Sequence, residues 1–290
     1  MENPKDGIIK PSLASQISNA IGFAAIHVAC ILAIWTGVTW RAVAIAYVLY
    51  WTRMFLITGG YHRYFAHRSY KTSRWFQFVL AFLGTTAIQK GPIYWSSLHV
   101  VHHRYSDWSP KDVHSPRQHG LWYAHIGWLL FNNKHNTTDM RHVKDWAKYP
   151  ELMWLEKYHW VAPVLLTFLC YWLGGWSGMI VGMGWSTVIL WHVVFSINSL
   201  AHVWGSKRYE TGDDSRNNPI LAVATMGEGW HNNHHHCQLS AKQGFKWWEI
   251  DTTYYTLQLL AKFGIIWDLK KPSEKVLTSK LVNTNQLSAP

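Results

Sequence analysis

Long runs of uncharged, mostly apolar residues alternate with polar stretches along this 290-residue chain. About 20 apolar residues are enough for a helix to cross a bilayer. We therefore predict membrane-spanning helices at residues 17–40, 42–61, 155–173 and 179–201. The apolar stretch 75–88 is too short to cross, and we expect it to lie at the membrane interface or to re-enter the membrane.

Tight turns join the four predicted spans in pairs. Residues 36–41 connect the first two spans, and the glycine-rich residues 174–178 connect the last two. Two such hairpins turn on one side of the membrane and leave the termini and the polar segments on the other. Arg41 is the one basic residue on the turn side, so the positive-inside rule places the termini and the polar segments in the cytoplasm.

The polar segments, residues 62–154 and 202–280, are predicted to form a helical cap on the cytoplasmic side. The predicted fold class is therefore an all-α integral membrane protein, with four transmembrane helices in two hairpins beneath a cytoplasmic helical cap. We expect residues 1–290 to form a single domain, a membrane-bound unit that includes both the spans and the cap.

Composition agrees with a membrane location. Charged residues make up 15% of the chain, aromatic residues make up 16%, and there are 20 tryptophans, as is typical of aromatic belts at membrane interfaces. The net charge of +11 does not indicate a nucleic-acid partner, because the basic residues form no stripe with reader motifs. Excess lysine and arginine in cytoplasmic loops accounts for it. Three scattered cysteines predict no disulfide framework.

Histidines cluster at the ends of the predicted spans. His99, His102 and His103 follow an i, i+3, i+4 spacing, which places all three on one face of a helix. The same spacing recurs near the end of the chain, a further pair follows the second span, and one histidine ends the fourth. The clustered histidines are His62, His67, His99, His102, His103, His202, His231, His234 and His235.

Four spans would bring all nine clustered histidines to one side of the membrane. Nine imidazoles are too many for one metal ion and about right for two, and the absence of thiolates from the set argues against a structural zinc site. His62 and His67 would lie ~140° apart on a regular helix, so we expect the helix to end or bend between them. Glu156 and His159 have the Glu-x-x-His spacing of di-iron bundles, which we interpret as coincidence.

Other polar residues receive plainer interpretations. Arg53 interrupts the second span, and we expect it to be a buried structural partner because a charge in the membrane must face protein or water. We interpret the remaining exposed-looking histidines as solvated loop residues. They are His114, His119, His135 and His142.

Residues 61–70, 99–103 and 229–235 resemble the three histidine boxes of integral membrane fatty acyl desaturases, and most closely those of the delta-9 acyl-CoA and acyl-lipid enzymes. Residues 198–202 resemble a fourth element of that family, in which an asparagine and a histidine complete the metal site. The resemblance extends from about Met54 to Lys271.

This resemblance implies a di-iron centre, in which zinc can replace iron on overexpression, and O2 as co-substrate. By position, one iron would be held by His62, His67, His99, His103 and His234. The other would be held by His102, His202, His231 and His235, with Asn198 acting through water. Carboxylates would orient the imidazoles, and the candidates are Asp107, Glu228 and Asp112.

The implied reaction introduces a cis double bond, at delta-9 by resemblance alone, into a saturated acyl chain. Its electrons would come from an external donor, a cytochrome b-type protein or a ferredoxin, docking on the basic cytoplasmic face. We expect the chain to occupy an apolar, kinked tunnel that opens to the cytoplasm and is lined by aromatic residues of the soluble part.

The acyl carrier is either CoA or a membrane lipid. Many acyl-CoA members have an Arg-Asp pair before the second box, but this chain has Ser97 and Leu98 there, which is closer to the acyl-lipid type. Basic residues elsewhere can also bind carrier phosphates, and Lys90, Arg117 and Lys134 are the candidates.

Two alternatives remain at this stage. A related membrane di-iron hydroxylase or alkene-forming enzyme would share the boxes and differ in its product. A histidine-rich metal transporter belongs to another class. Transporters place ionisable ligands inside their spans, whereas these clusters lie beyond the span ends.

Overall fold

The computed structural model describes residues 8–9, 12–131 and 138–283. It is mostly helical, as predicted, although short strands add a minor β component to the predicted all-α class. The strands form two antiparallel pairs, β1 (Ile8–Ile9) with β3 (Thr138–Asp139) and β2 (Lys71–Thr72) with β4 (Ile266–Trp267).

The α-helices in the first half of the chain are α1 (Leu13–Ile31), α2 (Ala33–Thr36), α3 (Trp40–Phe55), α4 (Arg74–Gly84), α5 (Pro92–Tyr105), α6 (Pro116–His119), α7 (Trp128–Leu130) and α8 (Lys144–Ala147). Those in the second half are α9 (Pro150–Lys157), α10 (Val161–Ser177), α11 (Ser186–Ser199), α12 (Pro219–Ala224), α13 (His231–His236), α14 (Thr252–Lys262) and α15 (Glu274–Thr278). The π-helical segments are Leu56–Ala66, Tyr123–Gly127 and Gly178–Trp185, and the 3-10 segments are Thr85–Ala87, Met140–His142 and Leu200–His202.

Three continuous helical segments of the described chain are long and apolar enough to cross a membrane. They are Gln16–Thr36, Trp40–Ala66 and Val161–His202. The last is 42 residues long and contains both the third and the fourth predicted spans. The predicted start of the third span at residue 155 differs from the structure, because α9 is a separate helix that ends at Lys157 and α10 begins at Val161.

Gly175 reverses the direction of the longest segment. Its backbone angles, φ 59° and ψ −151°, are essentially restricted to glycine. Beyond the reversal, Gly178 lies against the carbonyl oxygen of Cys170, whereas eight residues along a straight helix span about 12 Å. Ser177 donates a hydrogen bond to the Gly37 carbonyl (2.8 Å) and accepts one from the Thr39 amide (3.2 Å). The two turns predicted from sequence therefore lie side by side.

The first histidine pair lies on a π-helix and on the residue that caps its end. In Leu56–Ala66 the wider turn brings residues five apart close together, and the His67 amide donates to the His62 carbonyl at 3.0 Å. We expected the helix to end or bend between these residues. The helix does end between them, at Ala66, and its wider turns bring both imidazoles to the same centre.

Arg53 is 1% exposed and bridges three elements. Its guanidinium donates to Ser186 Oγ (2.5 Å) and Thr187 Oγ1 (2.7 Å) of α11 and to the Thr86 carbonyl (3.2 Å). These oxygen acceptors pair the buried cation, as burial of a charged group requires. The structure thus gives Arg53 the packing role that was expected for it.

Because Gly178 lies against the Cys170 carbonyl, we expect the second hairpin to be destabilised by any side chain at this position. Adding a methyl group in Gly178→Ala would overlap the Cys170 carbonyl, so we expect the free energy of unfolding to fall by about 1–3 kcal/mol. Gly184→Ala is the matched control in the same π-helical segment, since its methyl group would meet Cys30 Sγ at an ordinary 3.4 Å. Thermal unfolding in detergent measures both variants, and equal midpoints would contradict the hairpin geometry.

Candidate metal centre

Four elements bring the clustered histidines together. The π-helix Leu56–Ala66 and its cap supply the first pair, α5 supplies three, the 3-10 segment Leu200–His202 supplies one, and α13 supplies three. They form two groups in which the available ligand atoms lie within 4.8 Å of one another. Group A is His62, His67, His99, His103 and His234, and group B is His102, His202, His231 and His235.

The Nε2 atoms of group A converge on one small space. The four close contacts are His62–His234 at 3.0 Å, His67–His99 at 2.8 Å, His99–His103 at 2.9 Å and His103–His234 at 2.9 Å. A ring nitrogen carries either one hydrogen or one lone pair, so it takes part in only one good hydrogen bond. At most two of these four contacts can be hydrogen bonds. A shared cation, by contrast, would satisfy all five nitrogens.

The nitrogen spacing also fits a coordinated transition metal. With metal–nitrogen distances of about 2.1 Å, ligands at right angles lie about 3.0 Å apart, and tetrahedral ligands about 3.4 Å apart. Group A has five donors with contacts of 2.8–3.0 Å, so it suits a five- or six-coordinate ion better than a tetrahedral one.

Group B is buried and has nitrogen atoms to spare. His202 Nε2 lies 3.0 Å from His231 Nε2. The Nε2 atoms of His102 and His235 are buried and have no hydrogen-bond partner within the described ranges. Buried polar atoms rarely remain unpaired, so these nitrogens are suited to a cation.

Carboxylates accept a hydrogen bond from the Nδ1 atom of three imidazoles, those of His102, His202 and His235, and a fourth carboxylate contacts Nδ1 of His62. The pairs are His62–Glu228 at 2.6 Å, His102–Asp112 at 2.9 Å, His202–Asp107 at 2.7 Å and His235–Asp213 at 2.7 Å. A proton held on Nδ1 leaves the Nε2 lone pair free and fixes the ring orientation. Asp107, Asp112 and Glu228 were candidates from sequence. Asp213 was not, because it lies in an irregular loop with no spacing relationship to His235.

The carboxylates are held ionised. Burial would raise the pKa of Glu228, but the charges of His62 and Arg63 bring it down to about 2. Burial also opposes ionisation of Asp213, yet the charge of His235 and the hydrogen bonds from His235, Ser215 and Thr211 hold its pKa well below the usual range.

Arg63 secures Glu228 from the opposite side. It donates to Glu228 Oε1 at 3.0 Å and pairs with Asp251 at 2.9 Å, and all three side chains are nearly fully buried. Glu228 therefore places one oxygen on His62 and the other on Arg63. A guanidinium forms such planar multiple contacts well, which fixes the carboxylate between them.

Asparagines anchor α13 within the cap. Asn232 Oδ1 accepts from the amides of Arg208 and Tyr209, both at 2.8 Å. Asn233 Oδ1 accepts from Asn217 Nδ2 at 2.8 Å, while its amide group donates to Glu249 at 3.0 Å. These bonds explain why asparagine separates the histidines of this box.

The other predicted site residues lie in different places. Asn198 and Lys90 line a cavity beside the histidines. Arg117 is exposed and forms an ion pair with Asp214 at 2.7 Å. Lys134 lies outside the described residues.

His114 departs from its expected role as a solvated loop residue. It is buried, its ring packs edge-on against Trp128 with centroids 4.6 Å apart, and its amide donates to Asp112. Burial and the neighbouring His102 lower its pKa to about 3. Its loop folds inward because Asp112 collects hydrogen bonds there, a tertiary effect that local polarity does not reveal. His135 lies outside the described residues.

An apolar cavity of about 440 Å³ reaches the histidines. The tunnel expected from sequence was lined by aromatic residues of the soluble part, but the hydrophobic helices contribute much of this lining. The lining residues from those helices include Phe23, Ile26, Met54, Ile57, Trp191, Val194 and Phe195, and α5 adds Tyr94, Trp95 and Leu98. At the inner end of the cavity are His62, His99, His231, Glu228 and Asn198.

Glu156 caps the helix that carries the central box. Its carboxylate accepts from the amides of Ile93 (2.6 Å) and Tyr94 (3.3 Å), in the first turn of α5. Gly91 leaves the room that the carboxylate fills, since a Cβ there would overlap it. Burial raises the pKa of Glu156 to about 7. In the described structure its role is capping, and it belongs to neither histidine group.

Comparisons with known proteins match most of the chain. The sequence model described as fatty acid desaturase matches residues 38–267. The sn-1 stearoyl-lipid 9-desaturase of Anabaena variabilis is 39% identical over 271 residues, which cover 92% of this chain and 99% of the relative. The Delta-9 acyl-lipid desaturase 1 of Arabidopsis thaliana is 40% identical over 256 residues, 86% of this chain and 81% of the relative. The icosanoyl-CoA 5-desaturase of Limnanthes douglasii is 36% identical over 266 residues, 89% and 73% respectively.

Removing the carboxylate behind one imidazole should weaken metal binding. Asp213→Asn replaces the carboxylate by an uncharged amide, which holds the proton on His235 Nδ1 less strongly, and weakening such a partner typically lowers metal affinity about 10–100-fold. Metal content per chain after dialysis against a graded chelator measures the change. Asp214→Asn is the matched control, since its side chain pairs with Arg117 and Lys207 on the surface. Equal metal retention in the two variants would contradict this role.

Glu156 predicts a pH-dependent stability. Its folded pKa of about 7 lies above the ordinary value of 4.5 for a glutamate, so its contribution to stability is fully present at acid pH and is lost as the pH rises through 7. Between pH 6 and 8 the wild type should lose about 1 kcal/mol relative to Glu156→Gln, which still offers an oxygen to the Ile93 amide. Chemical unfolding of both proteins in parallel measures this difference, and parallel pH profiles would argue against it.

Proposed function

Since the chain belongs to the fatty acid desaturase family and is a fatty acyl desaturase, we propose that it forms a cis double bond at delta-9 in a saturated chain carried by a membrane lipid, using two histidine-held irons and O2. The observation that carries this proposal is the meeting of the two histidine groups with the inner end of an apolar cavity. A saturated acyl chain has no polar group that a side chain could attack, so its reaction requires an oxidant held by a metal.

Each histidine group would hold one iron. Group A supplies five nitrogens and group B supplies four, with Asn198 lining the adjacent cavity wall where it can act through water. Reduced iron bound there would activate O2 and supply an oxidant strong enough for C–H cleavage, which no side chain can provide. All-imidazole ligation also admits zinc on overexpression.

The protein's own contribution is orientation and exclusion of water. Carboxylates hold the Nδ1 protons of His102, His202 and His235, so that their Nε2 lone pairs would face the metals, and Glu228 contacts Nδ1 of His62. Trp95 stacks on the His99 ring, with centroids 5.0 Å apart, and forms part of the cavity wall next to the centre. Apolar walls position two adjacent methylenes and keep bulk water away from the reaction.

The names of two relatives support the proposed bond position, delta-9, and the proposed carrier, a membrane lipid. Two of the relatives described above are named for position 9 and for lipid-bound acyl chains. The Limnanthes relative is named for position 5 and a CoA carrier, so this family accommodates both carriers. Ser97 and Leu98 before the central box favour the lipid.

For the membrane topology we propose four spans, with Gly175 dividing Val161–His202 into two. Both termini, the cap and the metal centre would lie in the cytoplasm, since Arg41 is the basic residue beside the hairpin turns. Residues 1–290 would act as one desaturase domain. An external cytochrome b-type protein or ferredoxin would deliver electrons on the basic face.

The alternatives differ in what they produce. A hydroxylase or alkene-forming relative of the same architecture would add oxygen or shorten the chain, whereas a desaturase removes two hydrogens. Metal transport would require ligands deep within the spans. Membership of an enzyme family favours catalysis, as does the position of His62 and His202 in the last turns of two candidate spans.

Loss of one ligand of group A should abolish double-bond formation. His103→Ala removes a nitrogen that contacts two others in group A, and the protein should still insert into the membrane. Mass spectrometry of lipids from a desaturase-deficient host detects the loss of two mass units, locates the bond and would reveal added oxygen. His236→Ala is the matched control, because this ring contacts the Val276 carbonyl and stacks on Tyr209 outside both groups. Undiminished activity of His103→Ala would refute the role of group A.

A further inference from the structure

The apolar cavity has a second end, away from the histidines, that reaches the protein surface. Ser18, Asn19 and Gly22 of α1 line one side, and His159 and Trp160 before α10 line the other. Ser18 and Gly22 are exposed, and Trp160 is 54% exposed. Two membrane-spanning segments begin here, at Gln16 and at Val161. This cavity mouth therefore lies between two spans, at the level where lipid meets water.

Lys90 is the donor near this mouth, where burial and the charge of Lys90 lower the pKa of His159. Its neighbour Gln89 lies deeper, against Trp95 beside the histidines. Gln89 lines the cavity, and its Nε2 atom is buried with no partner in the described part of the chain, while its Oε1 accepts from Trp95 Nε1 at 3.0 Å. Next to it, Lys90 places its ammonium 4.3 Å above the Tyr94 ring, and its carbonyl is held by the Tyr61 hydroxyl. The nearby Glu156 carboxylate is occupied by the two amides that it caps.

We propose that the acyl chain enters this mouth sideways from the bilayer, and that Lys90 binds the phosphate of the glycerophospholipid that carries it. This inference rests on the proposed function and specifies its substrate. The ammonium group is a donor, so it matches a head group rich in acceptors, and lysine is a common partner of phosphate. An exposed tryptophan at the rim is typical of the lipid–water boundary, where a lipid head group remains while its chain moves.

A lateral opening also suits the carrier better than an opening to water. A phospholipid already has its chains at the depth of α1 and α10, so an acyl chain can slide between the helices while the phosphate stays at the rim. An acyl-CoA would have to leave the water phase to reach the same gap. The two sources share phosphate chemistry, and only the route distinguishes them.

The route is tested by narrowing the mouth at Gly22. A Cβ at this position would meet no atom within 4 Å, so Gly22→Phe adds bulk to the opening without a clash at the backbone. We expect at least a tenfold lower rate of double-bond formation in phospholipid vesicles. Ala25→Phe places the same bulk on an exposed position of α1 that does not line the cavity, and it should retain the wild-type rate. Equal rates for the two variants would overturn lateral access.

The head-group contact is tested at Lys90 with two vesicle substrates, phosphatidylglycerol and an uncharged galactolipid. Lys90→Met should raise the half-saturating mole fraction of phosphatidylglycerol about tenfold, with little change in the maximal rate and none with the galactolipid. Lys90→Arg should restore most of the loss. Lys262→Met removes an exposed cation at the end of α14 and serves as the control. An equal loss with both lipids, or none with either, would overturn phosphate binding.

Wild-type protein separates this inference from the function on which it rests. If the wild type forms no double bond in any lipid or in acyl-CoA, the proposed function fails. If it converts acyl-CoA supplied from water faster than vesicle phospholipid, desaturation stands and the lateral phospholipid route is refuted. Conversion in vesicles that Gly22→Phe and Lys90→Met both reduce supports the inference.

Discussion

Crowding of imidazole nitrogens is the constraint on which this structure depends. Four Nε2 contacts of 2.8–3.0 Å in group A cannot all be hydrogen bonds, so the arrangement suits a cation in the common space. The π-helix Leu56–Ala66, α5 and α13 each deliver their histidines to that space, and their positions follow from it. Bringing these elements together also closes the inner end of the apolar cavity.

Buried charged side chains contact the histidines of both groups on the side away from the candidate metal positions. Glu228 holds His62 and is held by Arg63, while Asp213 and Asp107 hold His235 and His202. Removing one member of such a network leaves an unpaired buried charge, so a substitution here should lower the stability of the protein as well as disturb the histidines. Farther out, Glu156 caps α5, the helix of the central box, and belongs to neither histidine group. The carboxylates thus orient the histidines, and the helix cap at Glu156 in turn fixes the helix that carries three of them.

Local sequence pattern predicted much of this architecture and most of the clustered residues. Apolar length located the hydrophobic helices, i, i+3, i+4 spacing located the boxes of α5 and α13, and the resemblance to fatty acyl desaturases is confirmed by the comparisons. Tertiary features were beyond that pattern. The π-helical turns between His62 and His67 follow no residue spacing in the sequence, and the pairing of Asp213 with His235 and the burial of His114 against Trp128 depend on how loops fold back.

Metal stoichiometry with X-ray absorption spectroscopy tests the central claim most directly. Protein produced with iron supplied should contain two ions per chain, with only nitrogen and oxygen neighbours at about 2.1 Å. One ion per chain, or a sulfur neighbour, would contradict the division of nine histidines into two metal-holding groups.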